Sequence, residues 1–217
     1  MRTKTNSKLY SYWNQVRGSR TAPRRFDIEP AQIADILSET FILEFQPPNG
    51  YRYRLAGTQI CENFGKELRG TNFTDGWQDY DRFSLQRHLT SIRKLGAVAR
   101  ILMEGTTRLG IKSSFEILIL PLRHNGEDIN RFLGAIVPID DADQTRLWPI
   151  VEYRIVETEL TYPADGFEDI TPAPVEDSQS QPQPPILAHF RNARIVKQDR
   201  RQFRVYDGGL SDQQKDT

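Results

Sequence analysis

The segment KSSFEILILPL, residues 112 to 122, sets the strongest constraint on this chain. At the two-residue period of a strand, Phe115, Ile117 and Ile119 fall on one face and Leu118, Leu120 and Leu122 on the other. A strand that is apolar on both sides has to be covered on both sides. Two further apolar segments flank it, VARILMEGT at 98 to 106 and RFLGAIVPI at 131 to 139. Short connections join the three, which indicates antiparallel neighbours in an α+β domain and not βαβ winding.

The preceding residues supply a hairpin and the covering helices. FILEF (41 to 45), a PPNG turn and YRYRLAG (51 to 57) form the hairpin, with Tyr51, Tyr53 and Leu55 alternating against Arg52 and Arg54. SKLYSYWNQVRG (7 to 18) places Leu9, Tyr12, Trp13 and Val16 on one helical face, with Ser7 as N-cap and Gly18 as stop. Prolines 23 and 30 interrupt helix, and AQIADILS resumes one after Pro30. TQICENFG is a helical stretch in which Ile60, Cys61 and Phe64 share a face, and KELRGTNF and DGW continue as short helical pieces or turns. DRFSLQRHLTSIRKLG (81 to 96) is the longest amphipathic helix, with Phe83, Leu85, Leu89, Ile92 and Leu95 inward. One face of the sheet is covered by the intervening helices, the other by the Trp13 helix or a partner subunit.

Not all of the chain belongs to this core. Of 217 residues only 37% are hydrophobic and the mean hydropathy is -0.61, a polar balance that points to segments outside it. Residues 163 to 185, PADGFEDITPAPVEDSQSQPQPP, have the composition of an acidic, Pro-rich, disordered linker, and residues 186 to 217 form a basic tail. The expected organisation is a helical extension at 1 to 40, a domain at 41 to 140, a post-domain segment at 141 to 162, then the linker and tail. The single cysteine, Cys61, excludes an internal disulfide framework, and with His88, His124 and His189 scattered it makes no structural zinc site. There is no apolar signal segment and no run approaching a membrane span, so a soluble, cytoplasmic protein is expected.

Two strands, a run of small helices, one longer helix and three strands is the order of a PAS domain. The stretch LAGTQICENFGKELRGTNF resembles the PAS segment in which a helix ending in Phe-Gly leads to a polar helix, a Leu-x-Gly turn and an apolar residue, here Phe64, Gly65, Glu67, Leu68, Gly70 and Phe73. Gly65 and Gly70 supply the positive φ that chained short helices need. The flanks resemble the single-domain PAS family found chiefly in alphaproteobacteria, through Tyr12, Trp13, Arg17, Gly18, Pro23, Arg25, Asp27, Pro30, Gly57, Glu116, Pro121 and Leu122. The resemblance spans roughly residues 8 to 140. It implies a five-stranded antiparallel sheet with helices on one face, and a role in sensing or protein interaction without catalysis. No output domain fits in the remaining length, so a signal passes through a partner or the tail.

The inward set Phe45, Tyr53, Ile60, Phe64, Phe73, Trp77, Leu89, Ile101, Phe115, Ile117, Leu133 and Ala135 is a candidate ligand pocket, although an apolar lining also describes a filled core. Gly134 and Ala135 are small enough to leave room. Cys61 precedes Phe64 and Gly65 and so lies on the wrong side of them for the reactive cysteine of flavin-adduct PAS proteins; it reads as structural. His88 is the one histidine placed for haem ligation, without a supporting signature, so no cofactor and no metal are expected. No GxSxG, HExxH, P-loop or GxGxxG motif occurs, and a cone-shaped isomerase or cyclase would need an inward charged dyad, whereas Glu116 falls on the Leu118 face. Arg25 is expected to clamp Asp27 and hold the segment after the first helix to the domain.

The 29 basic and 29 acidic side chains cancel, yet they are segregated. Residues 1 to 25 carry seven Lys or Arg and no acid, and residues 155 to 181 carry seven Asp or Glu and no base. The tail is basic again, with Arg191, Arg194, Lys197, Arg200, Arg201 and Arg204 among Phe190, Phe203 and Tyr206; nucleic-acid contact is the less favoured reading of it. The expected partners are a second copy, bound through the first helix or the sheet face it covers, and a signalling protein, with a small-molecule ligand as a further option.

Overall fold

The strand that is apolar on both faces lies inside a six-stranded antiparallel sheet. The computed structural model describes residues 1–48, 50–139 and 149–163. Its strands are β1 (Thr40–Gln46), β2 (Gly50–Ala56), β3 (Val98–Thr107), β4 (Lys112–Arg123), β5 (Ile129–Pro138) and β6 (Ile150–Thr161), in the spatial order β2-β1-β5-β4-β3-β6. The sixth strand departs from the expected five. It comes from the segment assigned outside the domain, and pairs with β3 along its length. The linker and tail expectations beyond residue 163 fall outside the described residues.

β4 divides two cores. Phe115, Ile117 and Ile119 enter one, beneath α2 (Thr58–Phe64), α3 (Asp79–Leu95) and the turns between them. Leu118, Leu120 and Leu122 enter the other, beneath α1 (Lys4–Arg17) and a 3-10 helix over Pro30–Glu39. α1 begins earlier than the Ser7 cap implies. Thr3 is the N-cap, its side chain accepting from the Asn6 amide, and Leu9 and Trp13 are fully buried. Lys4, Lys8, Ser11, Asn14 and Gln15 face outward, so the apolar stripe expected to serve a second copy is occupied by the chain's own sheet. Among the described residues no helix is long and apolar enough to cross a membrane.

Three side-chain phases differ from expectation, each for a local reason. A bulge between Ile42 and Leu43 pairs Ile42 with Leu55 but Leu43 with Tyr53, leaving Arg54 as the extra residue. Leu55 therefore joins the Ile42 face and is half exposed, while Tyr51 and Tyr53 stay buried. On α3, Leu85, Leu89 and Ile92 point inward as expected, but Phe83 and Leu95 are exposed. The inward place in the first turn goes to Asp81, whose Oδ2 accepts the Ile155 amide at 2.9 Å and ties the helix to β6. On β5, the pairs Ile117 with Ile136 and Ile119 with Gly134 fix the phase, so Leu133 and Ala135 lie on the α1 side and not in the candidate pocket. A Cβ at Gly134 would sit 2.2 Å from the Phe41 ring and 2.3 Å from the Leu118 carbonyl, so close packing and not spare room explains this glycine.

The two edges of the sheet are treated differently. The outer edge of β2 is capped by the turn after Leu68, where Tyr53 N donates to Thr71 O, Gly70 N to Tyr53 O and Phe73 N to Tyr51 O. Gly65 and Gly70, at φ of 60° and 84°, permit the turns that bring this cap round. β6 forms the other edge and carries two register irregularities against β3.

Candidate functional site

Between the sheet and the α2–α3 turns lies a cavity of about 100 Å3. Tyr53, Phe64, Phe73, Trp77 and Ile117 line it as the sequence suggested, joined by Met103, Ile136 and Tyr153. The others have different places. Ile60, Leu89, Ile101 and Phe115 are buried in the surrounding core and Phe45 packs at its margin, none of them reaching the cavity; Leu133 and Ala135 are on the opposite face. Tyr153 escaped the sequence reading because it lies on β6, whose one-sided, charged pattern does not stand out as core.

The lining is mostly aromatic and interlocked. Trp77 and Tyr153 meet edge to face at 4.9 Å, Phe64 and Tyr153 at 5.4 Å, and Tyr53 and Phe73 at 5.6 Å. Lys66 and Asp75 stand at the rim, and three further polar groups there serve the chain itself. Asn72 Oδ1 accepts the Tyr51 amide at 3.1 Å, Thr71 Oγ1 donates to Leu68 O at 2.7 Å, and Tyr153 donates to Asp75 O at 2.5 Å. Burial, reinforced by Asp75, pushes the Tyr153 phenol up to about 12, and burial pushes Tyr53 well above its ordinary value. Both stay neutral and neither is a base at physiological pH.

A family profile described as a PAS domain matches residues 1–137. The chain belongs to the PAS domain family. The match takes in α1, so the helix on the outer face of the sheet is within the matched region of this PAS domain. No curated protein matches the chain. Among solved structures it is similar to a Rhodobacter sphaeroides LOV protein (12% identity, 55% of this chain and 73% of that one, TM-score 0.40) and to the LOV domain of the blue-light photoreceptor Aureochrome1 (12%, 55% and 88%, 0.40). It is also similar to the PAS domain of an HTR-like protein from Haloarcula marismortui (19%, 50% and 89%, 0.34).

Neither residue considered for cofactor chemistry lines the PAS cavity. His88 lies partly buried on α3 with Nε2 3.2 Å from Ser84 Oγ, and burial lowers its pKa, aided by Arg87. Cys61 is partly buried, and burial raises its thiol pKa, which favours the protonated form.

The outer face holds a second polar constellation, whose partners the sequence did not reveal. Glu116 is 1% exposed. Its carboxylate accepts the backbone amides of Arg2 (2.8 Å) and Thr3 (3.0 Å), the Thr3 hydroxyl (2.9 Å) and Asn6 Nδ2 (3.0 Å). Arg100 Nη1 stands 3.7 Å away and the same guanidinium binds Glu159 on β6. Burial pushes the Glu116 carboxyl up, but the Arg2 amide, Asn6 and Thr3 outweigh it and hold it below the ordinary carboxylate range. One buried charge thus ties the start of α1 to the middle of the sheet.

The clamp expected between Arg25 and Asp27 is formed by other partners. Asp27 accepts Arg20 Nη1 at 2.8 Å and the Arg24 amide at 3.0 Å, and the Arg24 amide followed by Arg20 lowers its pKa against burial. Asp27→Ala is expected to cost about 1 kcal/mol, the loss of a half-exposed cap and ion pair, and Arg25→Ala nothing measurable. Thermal melts of both variants check this; equal losses would restore the Arg25 clamp.

Proposed function

We propose that this PAS domain is a regulatory sensory module that acts through protein contacts, catalyses no reaction, and works without flavin or haem. The observation that carries this reading is the size of the interior cavity. About 100 Å3 between interlocked aromatic rings is below the roughly 300–1,000 Å3 of sites that enclose cofactors and drug-sized ligands. It has room for a few waters or one very small molecule. The residues that would have to yield for a larger guest, Tyr53, Phe73 and Trp77, are nearly fully buried and pack on one another. The neutral phenols of the lining offer no general base to a substrate.

The full chain should purify without absorbance above the protein band, and native mass spectrometry should return the mass of the sequence alone or with a partner protein. A stoichiometric chromophore, or a co-purifying molecule lost on filling the cavity with Ile136→Phe, would overturn the reading.

A further inference from the structure

We infer that the outer face of the sheet carries a binding groove for a straight-chain carboxylate, with Arg25 as its anion contact. The groove has a volume of about 390 Å3 and runs between the 3-10 helix Pro30–Glu39 and the end of β2. Ile33, Ile42 and Leu133, each nearly fully buried, form its floor; Leu37 and Leu55 form its walls. Two features of the backbone open it. The bulge at Arg54 in β2 turns Leu55 to this face, and the 3-10 helix departs from helical geometry at Ile33, where φ is -127° and ψ is 26°. α1 covers the neighbouring part of the sheet but contributes no side chain here. The floor is rigid: Gly57 N donates to Thr40 O at 2.8 Å, and a Cβ at Gly57 would lie 2.2 Å from the Ser38 carbonyl.

Arg25 stands among the lining residues without an acid. Asp27 is engaged by Arg20 and the Arg24 amide, and the Arg25 guanidinium has no ion pair or hydrogen bond among the described residues. Arg25 is partly buried as a residue, and an unpaired guanidinium on an apolar groove binds a carboxylate through two parallel N–H donors, while the groove shields an alkyl chain from water. A peptide suits the place less well. Thr40 Oγ1 is given to Leu37 O, and the β2 edge that would receive an added strand is already capped by Gly70, Thr71 and Phe73. The groove is on the opposite face of the sheet from the aromatic cavity, so this inference goes beyond the proposed function and does not depend on it.

Calorimetric titration of the full chain with hexanoate, octanoate, decanoate and decanol, all below their aggregation limits, tests it. Saturable one-to-one binding is expected, tightening about fourfold per added methylene. Arg25→Ala should weaken decanoate about tenfold and leave decanol and the melting temperature unchanged, and Leu55→Gln should weaken both ligands. Absence of saturable decanoate binding, indifference to chain length, or equal affinity in Arg25→Ala would overturn the inference. A dimer abolished by Leu55→Gln, with no decanoate bound, would likewise overturn it and assign the groove to a second copy. A carboxylate that co-purifies and is retained in Ile136→Phe belongs to this groove, which keeps the two tests separate.

Discussion

Replacing Trp13 with alanine is expected to lower the unfolding free energy by about 3–5 kcal/mol, the usual cost of emptying a large buried aromatic site. The indole has no exposed surface, and Nε1 donates to the Pro121 carbonyl at 2.9 Å. It is the largest side chain between α1 and the sheet, in one core with Leu118, Leu120 and Leu122 of β4. For a domain of this size the loss corresponds to roughly 10 °C in melting temperature. Trp13→Phe keeps most of the apolar area and loses the hydrogen bond, so about 1–2 kcal/mol is expected from it. Denaturant unfolding followed by circular dichroism measures both. A loss below about 1 kcal/mol for Trp13→Ala would mean that α1 is not part of the cooperative fold.

The second large effect belongs to Glu116. Its carboxyl is held lower in the folded chain than in the unfolded one, so the folded state binds fewer protons in the acid range. Its stabilisation is therefore fully present above the ordinary carboxylate range and disappears as the pH falls through the folded value. Glu116→Gln removes the charge that organises two amides, a hydroxyl and an Asn side chain, at a cost of about 2–3 kcal/mol at neutral pH. At pH 3, in the acid range, the gap between the two proteins should be narrower than at neutral pH. Urea unfolding at both pH values decides it; a gap of the same size at each would show that the charge contributes nothing.

The two-faced pattern of β4 is enough to demand two cores, and the Gly65 and Gly70 turns and the buried Trp13 follow from residues that have few alternative uses. The phase of β5 does not follow. Every residue from Phe132 to Val137 is small or apolar, so periodicity alone leaves undecided which of Leu133 and Gly134 faces inward; the pairing with β4 settles it. Leu55 was misplaced because a bulge is a property of two strands together and leaves no mark in one. Within the cavity, Phe64 and Phe73 beside Gly65 and Gly70 were legible through the resemblance of that segment to the PAS stretch, whereas Tyr153 depends on a strand that folds back across a long stretch of sequence. The face of Glu116 could be read from its strand phase. Its partners at Arg2, Thr3 and Asn6 could not, because nothing local links residues more than a hundred positions apart.

That separation has a consequence for how the molecule is assembled. Synthesis proceeds from the N-terminus, so α1 emerges well before β4 and β5, and during that interval Leu9 and Trp13 have no sheet to settle on. Thr3 waits for Glu116, and Trp13 for Pro121. β1 meets the same delay on one side: β2 follows at once, but its other neighbour, β5, is nearly ninety residues later. Among the described elements α1 is thus made early and seated late, since its docking can be completed only when the central strands of the sheet are in place.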